Sequence, residues 1–89
     1  MQIERKDEAI IELLRARDGV ATDVRLRDGR VCIAFNIAWG YDIGDDFAHV
    51  STNVSPRSEG RDFDFFFTSE IDAITDPANG DVLYKTLPA

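Results

Sequence analysis

The stretch VCIAFNIAW, Val31 to Trp39, is the part of the sequence on which the fold turns. Its odd positions, Val31, Ile33, Phe35, Ile37 and Trp39, are bulky and apolar, while its even positions, Cys32, Ala34, Asn36 and Ala38, are small. Such alternation is the period of an extended strand, whose successive side chains leave opposite faces. The spacing predicts one continuous strand with a bulky face and a small face, and Cys32 packing on the latter as a buried small hydrophobe.

The flanking segments supply its neighbours. Upstream, TDVRLR (22–27) alternates with Val24 and Leu26 on one face and Asp23, Arg25 and Arg27 on the other. Asp28-Gly29 then makes a tight turn into Val31. Before that, Glu4 to Arg17 reads as an amphipathic helix, because Ile10, Leu13, Leu14 and Arg17 follow three- and four-residue steps. Glu4, Asp7 and Glu8 lie in its opening turns, Arg15 and Arg17 in its last, and Gly19 is placed for a left-handed stop. Downstream, strands are expected at Ala48–Val54 and Asp62–Phe67, joined by the exposed loop SPRSEGR (55–61). A last pair, Ile71–Thr75 and Val82–Lys85, flanks the turn sequence DPANG, with Ser69–Ala73 able to form one helical turn instead. The expectation is an α+β fold with one N-terminal amphipathic helix packed on an antiparallel sheet of about five or six strands, the sheet's other face partly open. At 89 residues the chain reads as one small domain, 1–89, with room for one core.

Within FDFFF (63–67), alternation assigns Phe63, Phe65 and Phe67 to the core beneath the helix and turns Phe66 the other way, beside Asp62 and Asp64. An exposed aromatic ring bordered by carboxylates suits a protein-binding anchor; the same ring could also cover Ala34 and Ala38.

Charge is distributed unevenly. The chain carries 10 Lys and Arg against 17 Asp and Glu, a formal charge of -7. Residues 1–39 hold seven of each sign and residues 77–89 one of each, so the whole excess falls in residues 40–76, where nine acids face two bases. Those acids are Asp42, Asp45, Asp46, Glu59, Asp62, Asp64, Glu70, Asp72 and Asp76. A negative face of this kind attracts a basic partner surface, although a charge run also serves as an ordinary solvated surface. Direct nucleic-acid binding is disfavoured, since it is built from clustered Lys and Arg.

Other chemistries find little footing. One cysteine and one histidine exclude a disulfide framework and an ordinary structural zinc site. Asp42, Asp45 and Asp46 among glycines suggest a hard-cation loop, but without the alternating ligand spacing or the closing Glu of a calcium hand. His49 and Ser51 share a strand face, yet no nucleophile elbow or phosphate loop accompanies them, and a hydrogen-bonded sheet histidine is the simpler reading. No catalytic residue, cofactor or metal is expected. The opening MQIERKDEAIIELL has charges where a signal peptide needs an apolar core, and no stretch has the roughly 18 apolar residues of a spanning helix. A soluble cytoplasmic protein with no membrane contact, monomeric or homodimeric, is the expectation.

In size, acidity and α+β pattern the chain resembles the short acidic proteins carried by phages and mobile elements of proteobacteria, anti-CRISPR proteins among them. The stretches FNIAWGYDIGDDFAHVSTNVSP and FFFTSEIDAITDPANGDVLY carry that resemblance. It implies a non-catalytic inhibitor that occupies the basic nucleic-acid-binding surface of a CRISPR effector and blocks target DNA. Carboxylates stand in for phosphates in such a scheme. The expected partner-binding residues are Tyr41, Asp42, Asp45, Asp46, Glu59, Asp62, Asp64, Phe66, Glu70 and Asp72. The alternatives are an antitoxin or immunity-type protein covering a basic toxin site, or a small metal-binding domain using the 42–49 loop.

Overall fold

The computed structural model describes residues 7–44, 46–54 and 63–86. Among these residues, helix α1 spans Glu8–Ala16 and is followed by seven strands: β1 Thr22–Leu26, β2 Val31–Ala34, β3 Ile37–Gly40, β4 His49–Thr52, β5 Phe65–Phe67, β6 Ile71–Thr75 and β7 Val82–Lys85. A 3-10 turn, Thr68–Glu70, links β5 to β6. All strand pairs are antiparallel, and they form two sheets, a first in the order β2-β1-β6-β7 and a second in the order β3-β4-β5. The α+β class is as expected; the single sheet of five or six strands is replaced by two sheets holding seven. The helix begins and ends inside the expected range, with Glu4 outside the described residues.

The division falls within the stretch that promised one continuous strand. Val31–Ala34 pairs with β1, Ile37–Gly40 pairs with β4, and Phe35-Asn36 lies between them. Asn53 holds this corner. Its side chain accepts from the Phe35 N–H at 2.8 Å and donates to the Ile33 carbonyl at 2.9 Å, so one amide replaces a neighbouring strand along the edge of β2. Asn36 answers with its own side-chain oxygen, which accepts from the Val54 N–H at 2.9 Å. Asn53 adopts φ 58°, a left-handed conformation that Asn tolerates better than most residues.

The corner also shifts the parity of the inward positions. Before it the even residues Cys32 and Ala34 are buried and Val31 and Ile33 are 53% and 51% exposed. After it Ile37 packs against the core. The first half is inverted relative to a bulky-in strand because the register opposes Cys32 to Val24 and Ala34 to Thr22, both buried. Cross-strand neighbours share a face, so the small residues follow Val24 inward. The result is one core drawn from both sheets and the helix, including Ile10, Ile11, Leu14, Val24, Val50 and Phe66. Among the described residues no helix is long and apolar enough to cross a membrane.

The helix is tied down at both ends. At its C-terminal end Arg17 donates to the Thr22 hydroxyl at 2.6 Å and to the Ala21 carbonyl at 3.1 Å, and pairs with Asp76 at 3.3 Å. The helix ends at Ala16, ahead of the expected stop; Gly19, three residues on, is left-handed at φ 84° and donates its N–H to the Phe35 carbonyl at 2.6 Å. At the N-terminal end stands Asp7, only 1% exposed. Its backbone carbonyl accepts the Ile11 N–H of the first helical turn. Its carboxylate turns away from the helix and accepts three hydrogen bonds, from the Tyr41 hydroxyl at 2.6 Å, the Ala48 N–H at 2.7 Å and the Thr68 hydroxyl at 2.6 Å.

Burial pushes the Asp7 carboxyl upward, but the bonds from Ala48, Thr68 and Tyr41 together outweigh it and hold the group below its ordinary value of 3.8. The carboxylate's contribution to stability is therefore complete above the unfolded value and lost as pH falls through the lower folded one. Asp7→Ala leaves three donors without their acceptor and should cost about 3–5 kcal/mol in urea denaturation at pH 7. Asp7→Asn, which keeps an acceptor oxygen and can donate to Tyr41, should cost about 1–2 kcal/mol. It should also lessen the loss of stability between about pH 4 and pH 2 relative to the native sequence.

Candidate functional site

The second sheet turns Val50 and Thr52 of β4 into the core, both fully buried. Phe66 lies opposite Val50 in the register and is carried inward with it. The alternate positions must then face out. One outward row runs Gly40, His49, Phe67 across the three strands, and the next runs Ala38, Ser51, Phe65. The outer face thus has small residues on β3 and aromatic rings on β4 and β5.

The rings form an ordered cluster. His49 and Phe65 are near parallel, 20° apart in plane with centroids separated by 6.0 Å. Phe67 stands close to perpendicular to both, at 5.7 Å from Phe65 and 6.5 Å from His49. These are the offset and edge-to-face arrangements that ring quadrupoles favour. Gly40 seats the imidazole: a Cβ there would come within 3.1 Å of His49 Nε2. Phe65 remains 49% exposed and Phe63, just before β5, 63%. Acids border the cluster. Asp42 Oδ2 lies 3.7 Å from His49 Nδ1 with its side chain 73% exposed. Glu70 accepts the Phe67 N–H at 2.7 Å while remaining exposed.

The residues expected to bind a partner are distributed differently from the sequence reading. Phe66 is 1% exposed and belongs to the core, so the expected protruding anchor is overturned; the exposed rings are Phe63 and Phe65, both expected inside, with Phe67 half-buried. Tyr41 is half-buried with its hydroxyl committed to Asp7. Asp42 and Asp46 are exposed on the connection from β3 to β4. Asp64 is half-buried at the start of β5, where its backbone bonds to Thr52. Asp72 sits on the first sheet, paired with Arg25 at 3.2 Å and accepting from the Thr86 hydroxyl at 3.1 Å. Asp45, Glu59 and Asp62 lie outside the described residues. Of the described acids in the set, Asp42 approaches the His49 ring and Glu70 accepts from the Phe67 backbone, while Asp72 is drawn into an ion pair on the other sheet.

His49 and Ser51 share the outward face, as their spacing implied. Burial, reinforced by the Asp64 carboxylate, pushes the Cys32 thiol up to about 11 despite the opposing charge of Arg30, so it is a packed thiol and a poor nucleophile. Among the described residues no three His, Cys, Asp or Glu side chains gather into a group able to hold a metal ion.

The missed signal was the parity of β4. AHVST places Ala48, Val50 and Thr52 on one side and His49 and Ser51 on the other, and a strand paired to it inherits that division. Applied to FFF, it exposes Phe65 and buries Phe66. Phe66→Ala should cost about 3–5 kcal/mol, as truncation of a core aromatic does. Phe65→Ala should change stability by about 1 kcal/mol or less, and urea denaturation of the two variants distinguishes core from surface directly.

Comparison of the chain with protein-family models, curated proteins and solved structures returns no match.

Proposed function

We propose that the protein is a non-catalytic binding protein that inhibits a partner by covering a basic, nucleic-acid-binding surface. The observation that carries this reading is the outward-facing cluster of His49, Phe65 and Phe67 with Asp42 and Glu70 at its border. Surface aromatic rings in an ordered array supply the apolar contact that anchors a protein interface. Carboxylates around them supply sign, favouring a positive surface and repelling a negative one.

The chain's charge of -7 extends that preference over longer range. It accelerates approach to a basic groove and disfavours contact with nucleic acid itself. The resemblance to phage-borne inhibitors points to a guide-loaded CRISPR effector as the partner, with target DNA as the displaced ligand. Competition of this type weakens as salt screens the charges, while the aromatic contribution persists.

The test is target-DNA binding by a panel of purified, guide-loaded CRISPR effectors, read by gel shift with and without the protein. At least one effector should lose DNA binding in the presence of the native protein, and the loss relative to the protein-free control at the same salt should shrink as salt rises. Replacing Phe65 with Ser and Asp42 with Asn together should weaken inhibition about tenfold or more while leaving the fold unchanged. Undiminished inhibition by that double variant, or no effect on any effector, would overturn the reading.

A further inference from the structure

The outer face of the second sheet specifies more than a generic basic partner, and its finer specificity rests on the binding reading above. We infer that the group this face takes from its partner is an arginine guanidinium, stacked on the Phe65 ring beside His49 and paired with the Asp42 carboxylate.

The shape of the cluster suits a flat cation. The His49 and Phe65 rings are nearly parallel, Phe67 stands perpendicular to them, and Phe65 is half exposed, so aromatic surface of this cluster meets solvent. A planar, delocalised cation can lie on such a face and keep its N–H groups directed outward in the plane. A lysine ammonium is a compact, strongly hydrated charge and gains less from the same surface.

Charge favours the same group. Asp42 is largely exposed and its carboxylate lies against the same imidazole that stacks on Phe65, so the cluster carries an acceptor on its His49 side. Guanidinium pairs with a carboxylate through two parallel N–H bonds, a geometry that an ammonium does not supply. The overall charge of -7 opposes occupation by a second copy of this chain. The protein contains a comparable contact of its own: the Arg15 guanidinium lies over Trp39, 5.2 Å from the ring centroid.

The surface is also ordered in advance. Gly40 leaves room for the imidazole directly above β3, and the register of β3, β4 and β5 sets the positions of all three rings. Side chains fixed before binding lose less entropy when their partner arrives.

The experiment is an NMR titration of the isotopically labelled protein with three hexapeptides that differ only at one central residue, arginine, lysine or the neutral isostere citrulline. The arginine peptide should shift the amides of Gly40, Asp42, His49, Phe65 and Phe67. It should bind about threefold more tightly than the lysine peptide and about tenfold more tightly than the citrulline peptide. Phe65→Ala, a surface change, should abolish the preference for arginine over lysine. Asp42→Asn should reduce the preference for arginine over citrulline. Equal binding of the arginine and lysine peptides would overturn the arginine assignment and leave the basic-partner reading standing. Equal binding of the citrulline peptide, or cationic peptides shifting other surfaces and not this one, would overturn both.

Discussion

The buried carboxylate of Asp7 is the constraint from which the relation between helix and sheets derives. A charge withdrawn from water is costly unless donors replace the lost hydration, and here three do, from Tyr41, Ala48 and Thr68. Those residues lie after β3, before β4 and after β5. One side chain thus joins the start of the helix to three points on the border of the second sheet. Its position beside the helix N-terminus, where backbone N–H groups concentrate positive potential, suits an anion. With Thr68 held there, the 3-10 turn is placed to send the chain into β6, which returns to pair with β1 in the first sheet.

A second device, the reciprocal pair of Asn36 and Asn53, makes the other corner. Asn53 satisfies backbone groups of Ile33 and Phe35 that a strand would otherwise pair. That frees the chain to leave the first sheet at Phe35-Asn36 and enter the second at Ile37. The change of direction carries a change of parity, so the two halves put different sets of alternating residues inward. The two corners let one short chain fold two sheets around a single core without a long connection in the described region.

The exposed aromatic cluster is a consequence of this arrangement. Once Val50 and Phe66 fill the interior, Phe65 and Phe67 have nowhere to go but outward, next to His49. Exposed apolar area of this kind is costly in water, and it is what the packing of the other face imposes. Asp42 beside His49 gives that surface a negative sign. The acids of residues 40–76 do not act as one group: among those described, Asp42 lies beside His49, Asp72 serves the first sheet through Arg25 and Thr86, and Asp76 pairs with Arg17.

Local features were legible in the sequence because their causes are local. The helix stripe of Ile10 and Leu14, the left-handed Gly19, the Asp28-Gly29 turn and the hairpin flanking DPANG each depend on a few neighbouring residues, and each is found in the fold. The α+β class comes from those periods. Alternation alone could not say which face of a strand is inside, and for VCIA and FFF the bulkier choice is the wrong one. That decision belongs to cross-strand register, which ties Cys32 to Val24 and Phe66 to Val50 across distances in sequence that no local pattern spans. Asp7 illustrates the same limit: as a residue it is an ordinary acid at a helix start, and only the assembled sheets bring Tyr41, Ala48 and Thr68 to its carboxylate. The sequence by itself determined the helix, the hairpin turns, the α+β class and the sign of the charge, but not the break of Val31–Trp39 into two strands of different sheets. Tertiary packing decided which side chains are core, which rings meet solvent and which acids stand beside them, because burial is a property of the partner a residue meets and not of the residue alone.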